Sequence, residues 1–236
     1  MPFFRESYMV TEKEEQEYMQ FINAENAGLA QQVLGEIMKS PRDLILGADV
    51  VPERMIWQLL APADGIPRIL VTLDGGSTYY IDYTADNGTA YKGKHYSAIA
   101  ATNDKWNAPA TATPIADIAE FQETVTTGTG RTIGTIIMNT ATWAAFCNAE
   151  DTKKQVQGIL AYQNGIYLNK ADVRRYLADN FGIEVLVYDK VYQNEAGQTV
   201  SFIPDGVVSC ITRGVGSLGT VTYGTTPEER SGNKSI

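Results

Sequence analysis

Residues able to act as nucleophile, general base, metal ligand or phosphate cradle are few in this chain. One histidine, His95, follows Lys92-Gly93-Lys94 with no cysteine or pair of aspartates near it. Ser–His or Cys–His catalysis would have to use it, because a hydroxyl or thiol needs an adjacent base to become a good nucleophile. Standing alone, it reads as a surface histidine. Cys147 and Cys210 lie far apart in sequence, in apolar stretches, and read as small buried thiols in a reducing compartment. One histidine and two distant cysteines cannot supply the tetrahedral nitrogen and sulfur set of a zinc site. The run Gly128-Thr129-Gly130-Arg131-Thr132-Ile133-Gly134 imitates a phosphate loop. It lacks the Gly-Lys-Ser/Thr ending, and a strand pattern follows it where a helix is needed, so it reads as a hinge. Glu120 and Glu123, three apart on a helical pattern, read as a solvated face. Trp57, Trp106 and Trp143 read as core or interface anchors. The expected set of catalytic, cofactor-binding and metal-binding residues is therefore empty: no enzyme and no cofactor.

The elements that would have to position any site alternate in type along the chain. Residues 1–10 hold Pro2 and three aromatics without a regular period, an arm that needs a surface to lie on. Thr11-Glu12-Lys13-Glu14 is a capping box that opens a helix, with Tyr18 and Ile22 on one face. Leu29, Val33 and Ile37 resume an i, i+4 stripe up to Ser40-Pro41. A short helix from Met55 to Leu60 follows Pro52 and ends at Pro62. From Arg68 to Tyr96 the period changes to two: Ile69, Val71 and Leu73, a turn at Asp74-Gly75-Gly76, then Tyr79, Ile81 and Tyr83. This predicts a long antiparallel ribbon with one thin apolar face, projecting from the body, and such a hairpin is marginal by itself in water.

Thr113-Pro114 predicts a helix start with a capping hydroxyl and proline in the first turn. Its stripe is Ile115, Ile118, Gln122 and Val125, and Thr126 to Gly130 reads as a break. Residues 132–212 then read as a compact unit of mixed helix and strand. It contains a buried strand from Ile133 to Met138, a short helix carrying Trp143, Phe146 and Cys147, and a helix capped by Asn169 and Gly182. After these comes a strand with Ile183, Val185, Val187, Asp189 and Val191 on one face. A strand through Val200, Phe202 and Ile203, the turn Pro204-Asp205-Gly206 and a return from Val207 to Ile211 complete it. One contiguous core is expected there, including Ile136, Phe146, Val173, Leu177, Val185 and Val187.

Composition bounds the possibilities. The chain has 236 residues, 44% of them hydrophobic and 20% charged. A folded chain of this size can bury about 70% of the surface its unfolded form exposes, so wholesale disorder is excluded. No apolar run approaches the roughly 20 residues of a membrane span, and no secretory leader is expected. Lysine and arginine total 19 against 28 acids, a formal charge of −9. Nucleic-acid binders carry phosphate-neutralising patches. No cluster here is denser than Lys153-Lys154 or Arg174-Arg175, so sequence-specific nucleic-acid binding is not expected, and neither is membrane binding.

The order of features is more specific than any single motif. Val51-Pro52-Glu53-Arg54-Met55 is followed by Gln58-Leu59-Leu60, with Asp82-Tyr83 after the ribbon strand and Trp106 before the helix. The helix Leu168 to Phe181 runs into Glu184 to Tyr192, and Phe202-Ile203-Pro204-Asp205-Gly206-Val207-Val208 and Tyr223-Gly224-Thr225-Thr226-Pro227-Glu228-Glu229 follow. Collinear from Tyr8 to Glu229, these resemble the major capsid proteins of tailed phages and prophages, of the lambda E type.

The resemblance implies an α+β fold of the tailed-phage shell type first described in Hong Kong phage 97. It divides the chain into an N-terminal arm and helices (1–66), an extended hairpin loop (67–105), the spine helix of a peripheral domain (106–127), an axial domain (128–218) and a return toward the peripheral domain (219–236). Members of that family run on past the position of Ile236 and return strands to the peripheral domain, and this sequence departs from them by stopping there. The implied role is structural: a head subunit that self-assembles through pentamers and hexamers into the icosahedral shell around packaged DNA. Scaffolding, portal and decoration proteins are the implied partners, and the virion, after assembly in the bacterial cytoplasm, is the implied location. A cellular nanocompartment shell of the same fold and an α+β enzyme are the alternatives. The first would need cargo-docking features and the second a convergent polar cluster in a pocket.

Overall fold

The computed structural model describes residues 16, 19, 47, 49–72, 78–84, 89–99, 105–158, 167–194, 198–214, 216 and 218–220. In chain order these form a helix α1 (49–60) and an antiparallel strand pair, β1 (Arg68–Thr72) and β2 (Thr78–Asp82). Helices α2 (Thr89–His95) and α3 (Pro114–Thr129) follow, then strand β3 (Ile133–Met138). Three helices, α4 (Thr140–Asn148), α5 (Glu150–Gln157) and α6 (Lys170–Phe181), lead to β4 (Glu184–Val187). A small pair, β5 (Val191–Gln193) and β6 (Thr199–Ser201), precedes β7 (Ser209–Thr212).

The central sheet has the order β4-β3-β7. β4 lies parallel to β3, so the chain must cross over between them, and α4 to α6 make that crossing. β7 pairs antiparallel on the other side. The register against β7 shifts between Ile133 and Thr135. A bulge adds one residue to the strand and reverses its alternation from that point. Ile133, Ile136 and Met138 therefore face one core, while Ile137 faces another.

The larger core lies under α3, α4 and α6 and joins Ile115, Ile118 and Val125 to Phe146, Val173, Leu177 and Val185. The smaller lies under α1, where Trp57 and Ala61 meet Ile137, Phe202 and Ile203. The mixed α+β architecture expected from the sequence is the one observed. The expected core residues lie together, five buried and Val187 half-buried against them. The expected single core within 132–212 is corrected: α3 completes one core, and α1 builds a second on the opposite face of the sheet.

Local differences have identifiable causes. The ribbon pattern stops at Asp82, and Thr89–His95 is helical. Tyr91 and His95 stack at i, i+4, and the last turn carries Lys92, Lys94 and His95, which suits the negative end of the helix dipole. The helix expected from Met55 begins earlier and includes Asp49 to Arg54. Thr113 does not cap α3 with its hydroxyl; its carbonyl accepts from Asp117 N. The expected break at Thr126 to Gly130 is helical up to Thr129. There the Thr126 and Thr129 hydroxyls donate back to the carbonyls of Gln122 and Val125, and Gly130 ends the helix at φ 70°.

Asn169 caps α6 through Ala171 N, and Gly182 closes it in the left-handed region, both as expected. α5 has no counterpart in the sequence reading, because its residues are nearly all polar. The expected continuous strand face from Ile183 to Val191 splits at Tyr188 to Lys190, where Asp189 turns to cap Thr140 N. β6 ends at Ser201, and Phe202 and Ile203 are buried beyond it. The arm, the Thr11 capping box, the stripe from Leu29 to Ile37 and the Tyr223–Glu229 motif lie outside the described residues.

Candidate functional site

His95 is exposed at the end of α2, with its ring 4.6 Å from that of Tyr91. Burial pushes the Cys147 thiol up to about 11 and the Cys210 thiol up to about 12. Neither carries appreciable thiolate at neutral pH, which a nucleophilic cysteine requires. Gly130, in the middle of the glycine-rich run, serves as the C-cap of α3. Glu120 and Glu123 are exposed. Trp57 and Trp143 are buried core anchors, and half-buried Trp106 donates Nε1–H to Asp117 at 2.8 Å. Among the described residues no group of histidine, cysteine and carboxylate side chains could hold a metal ion, and no helix is long and apolar enough to cross a membrane. The sequence-selected residues are thus not brought together.

What the chain does assemble is an open ribbon held at its root and a sheet face covered and clamped by α1. The β1–β2 ribbon is fastened to the body at its base. Ile69 is buried, Arg68 pairs with Asp64, and Leu70 N donates to Gln58 Oε1 of α1 at 3.2 Å. The pair is nonetheless open to solvent: Tyr80 of β2 and Tyr83, just past β2, are each 58% exposed, and Arg68 lies over the Tyr80 ring at 4.7 Å. Exposed tyrosines offer apolar area with a polar tip, the composition favoured where proteins meet.

The clamp lies where α1 covers the sheet. Tyr188 Oη donates to Glu53 Oε1, and Lys190 Nζ reaches the same oxygen at 3.0 Å. The Tyr188 hydrogen bond and the ammonium hold the Glu53 carboxyl below its ordinary range, against the opposing effect of desolvation. Arg54 lies over the Tyr192 ring, and Trp57 packs on Tyr188 with centroids 4.6 Å apart. At the end of α1, Ser209 Oγ donates to Leu60 O at 2.6 Å.

The Phe202 to Gly206 segment is fixed in a comparable way. Asn139 caps α4 through Thr142 N, and its Nδ2 donates to Ile203 O and to Asp205 Oδ1. Gly206 N donates to Thr142 Oγ1 at 2.9 Å, with the glycine at φ 77°. The clamp itself is not visible in sequence, since Glu53 and Tyr188 are 135 positions apart. The charged pair Glu53 and Arg54, set between the apolar residues Val50, Val51, Met55, Ile56 and Trp57 of α1, is its one signal.

Among solved structures, the chain is similar to the crystal structure of a protein assigned as a prophage capsid protein in E. coli CFT073. The identity is 13%, the TM-score 0.37, and the match covers 88% of this chain and 54% of that one. The chain thus spans about half the length of that relative. No curated protein matches it. The family described as phage major capsid protein E matches residues 1–235. With that match running through the clamp, the ribbon and the crossover sheet alike, the chain belongs to the phage major capsid protein E family.

Proposed function

We propose that this chain is a major head subunit that self-assembles through pentamers and hexamers into an icosahedral shell around packaged phage DNA. The observation that carries the reading is the capsid family match over residues 1–235. A capsid protein's role is structural, its setting is the virion, and a capsid is an assembly of many copies. Residues 1–66 serve as arm and helices, 67–105 as the extended loop and 106–127 as the spine segment, whose helix is α3. Residues 128–218, built on the β4-β3-β7 sheet, serve as the axial domain, and 219–236 lead back toward the peripheral domain. Scaffolding, portal and decoration proteins are the natural partners, with assembly in the bacterial cytoplasm.

The physical support is the open ribbon. Two strands with exposed tyrosines are poorly stabilised alone, and a neighbouring subunit supplies the missing partner surface. Specific interfaces bury about 1,200–2,000 Å² each, and closure of a shell multiplies contacts that are individually weak. The test is purification of the chain, size-exclusion chromatography and electron microscopy. Large uniform closed particles are expected. A stable monomer at every concentration and salt tried would overturn the proposal.

A further inference from the structure

In a chain of formal charge −9, the fold gathers a concave positive face. Arg174 and Arg175 of α6 come together with Arg213, just past β7, around an open groove of about 850 Å³. Its floor includes Gly134 and Val185 of the central sheet. Arg174 also lines an adjoining hollow of about 340 Å³ with Lys170 and Trp143. The acid in the groove lining is Glu184, and Asp172 pairs with Arg175 at 3.0 Å.

Arg213 is placed rather than draped. A Cβ at Gly134 would overlap its Cγ, and a Cβ at Gly182 would overlap its Nη2. Both positions are glycine, and Nη2 donates to the Gly182 carbonyl at the end of α6. A guanidinium has five N–H donors, so most of those on Arg213 remain available. Arg174 forms no ion pair among the described residues; its guanidinium lies 5.7 Å from the Trp143 ring. Two oriented guanidinium groups beside a groove match carboxylates, which they bind through paired charge-assisted hydrogen bonds.

Carboxylates of the complementary charge exist on the same molecule, on a different element. Glu120 and Glu123 of α3 are exposed, three apart and so on one face, and have no ion-pair partner among the described residues. We propose that the groove lined by Arg174, Arg175 and Arg213 receives Glu120 and Glu123 of a second copy of this chain. The proposal rests on the shell reading and adds to it a named contact. Two different patches that fit one another make a heterologous interface, the kind that closes into rings when the rotation allows. Charge complementarity favours this occupant: copies of an acidic chain repel one another except where a positive face meets a negative one.

The experiment compares assembly of the wild type with two charge-reversed variants and their combination. The variants are Arg174→Glu with Arg213→Glu, Glu120→Arg with Glu123→Arg, and all four changes in one chain. Circular dichroism checks the fold, sedimentation and electron microscopy measure the assembled fraction at low and high salt, and retention of plasmid DNA is measured in parallel. Each pair of reversals is expected to lower the assembled fraction at least about tenfold at low salt, because like charges then face one another. The fourfold variant is expected to recover most of it, since groove and helix match again with signs exchanged. Folded reversal variants that assemble like the wild type would overturn the inference. So would a folded fourfold variant that stays unassembled, or reversal of the arginines that abolishes DNA retention while shells form normally. A wild type that never assembles would sink the shell reading and this contact together. Shells that form regardless of the reversals would sink the contact alone.

Discussion

Glu53 holds two elements together through one carboxylate oxygen, which accepts from the Tyr188 hydroxyl and the Lys190 ammonium. Its carboxyl is held below the usual value, first by the Tyr188 hydrogen bond and then by Lys190. A depressed carboxyl pKa contributes stability that is fully present above the unfolded value and is lost as pH falls through the folded value. Glu53→Gln is therefore expected to lower the urea midpoint at pH 7, and the gap from the wild type should narrow on acidification below the ordinary carboxylate range. A gap that stays constant from pH 7 to pH 3 would show that the charge on Glu53 does not hold α1 in place. A second residue-scale expectation separates backbone strain from crowding. Gly130 and Gly182 both cap helices with positive φ, yet a Cβ at Gly130 meets nothing, whereas one at Gly182 strikes Arg213. The left-handed backbone costs an alanine about 1–2 kcal/mol at either site. Gly182→Ala should cost more than Gly130→Ala in equilibrium unfolding, because Arg213 Nη2 must then give up its hydrogen bond to the Gly182 carbonyl, and equal losses would show that Arg213 moves aside freely.

At the scale of elements, α6 is the clearest case of a helix specified locally and stabilised at a distance. Asn169 and Gly182 bound it, while Val173 and Leu177 are fully buried in the core under α3 and α4. Leu177→Ala removes a side chain with no exposure and should destabilise by about 2–5 kcal/mol, measured by reversible denaturant unfolding. A loss below about 1 kcal/mol would place Leu177 outside the core. This helix, β3 and most of α3 were legible in the sequence because their apolar periodicity and end signals agree. α5 was not, because its stabilisation is polar: Lys154 pairs with Glu150, and Gln155 donates to Asp151. Such pairs carry no hydrophobic period. α3 runs on through the expected break at Thr126 to Gly130 because the threonine hydroxyls bond back onto the helix. The gathering of Arg213 beside Arg174 and the meeting of Glu53 with Tyr188 depend on tertiary pairing, and no local pattern encodes them.

At the scale of the whole molecule, the body and the ribbon are separable. Deletion of Asp74 to Asp86 removes the β1–β2 connection and β2 but leaves both cores intact, since neither contains a residue from that stretch. The variant should remain folded by circular dichroism and fail to form closed particles by electron microscopy. Normal shells from it would show that the ribbon is not a contact between subunits. The body itself is divided by a single strand: Ile136 and Ile137, neighbours on β3, look into opposite cores. Neither half can open without withdrawing its share of that common wall, so the two should melt together. Deuterium labelling would register this as β3 amides that exchange only through global opening, on both sides of the wall at one rate.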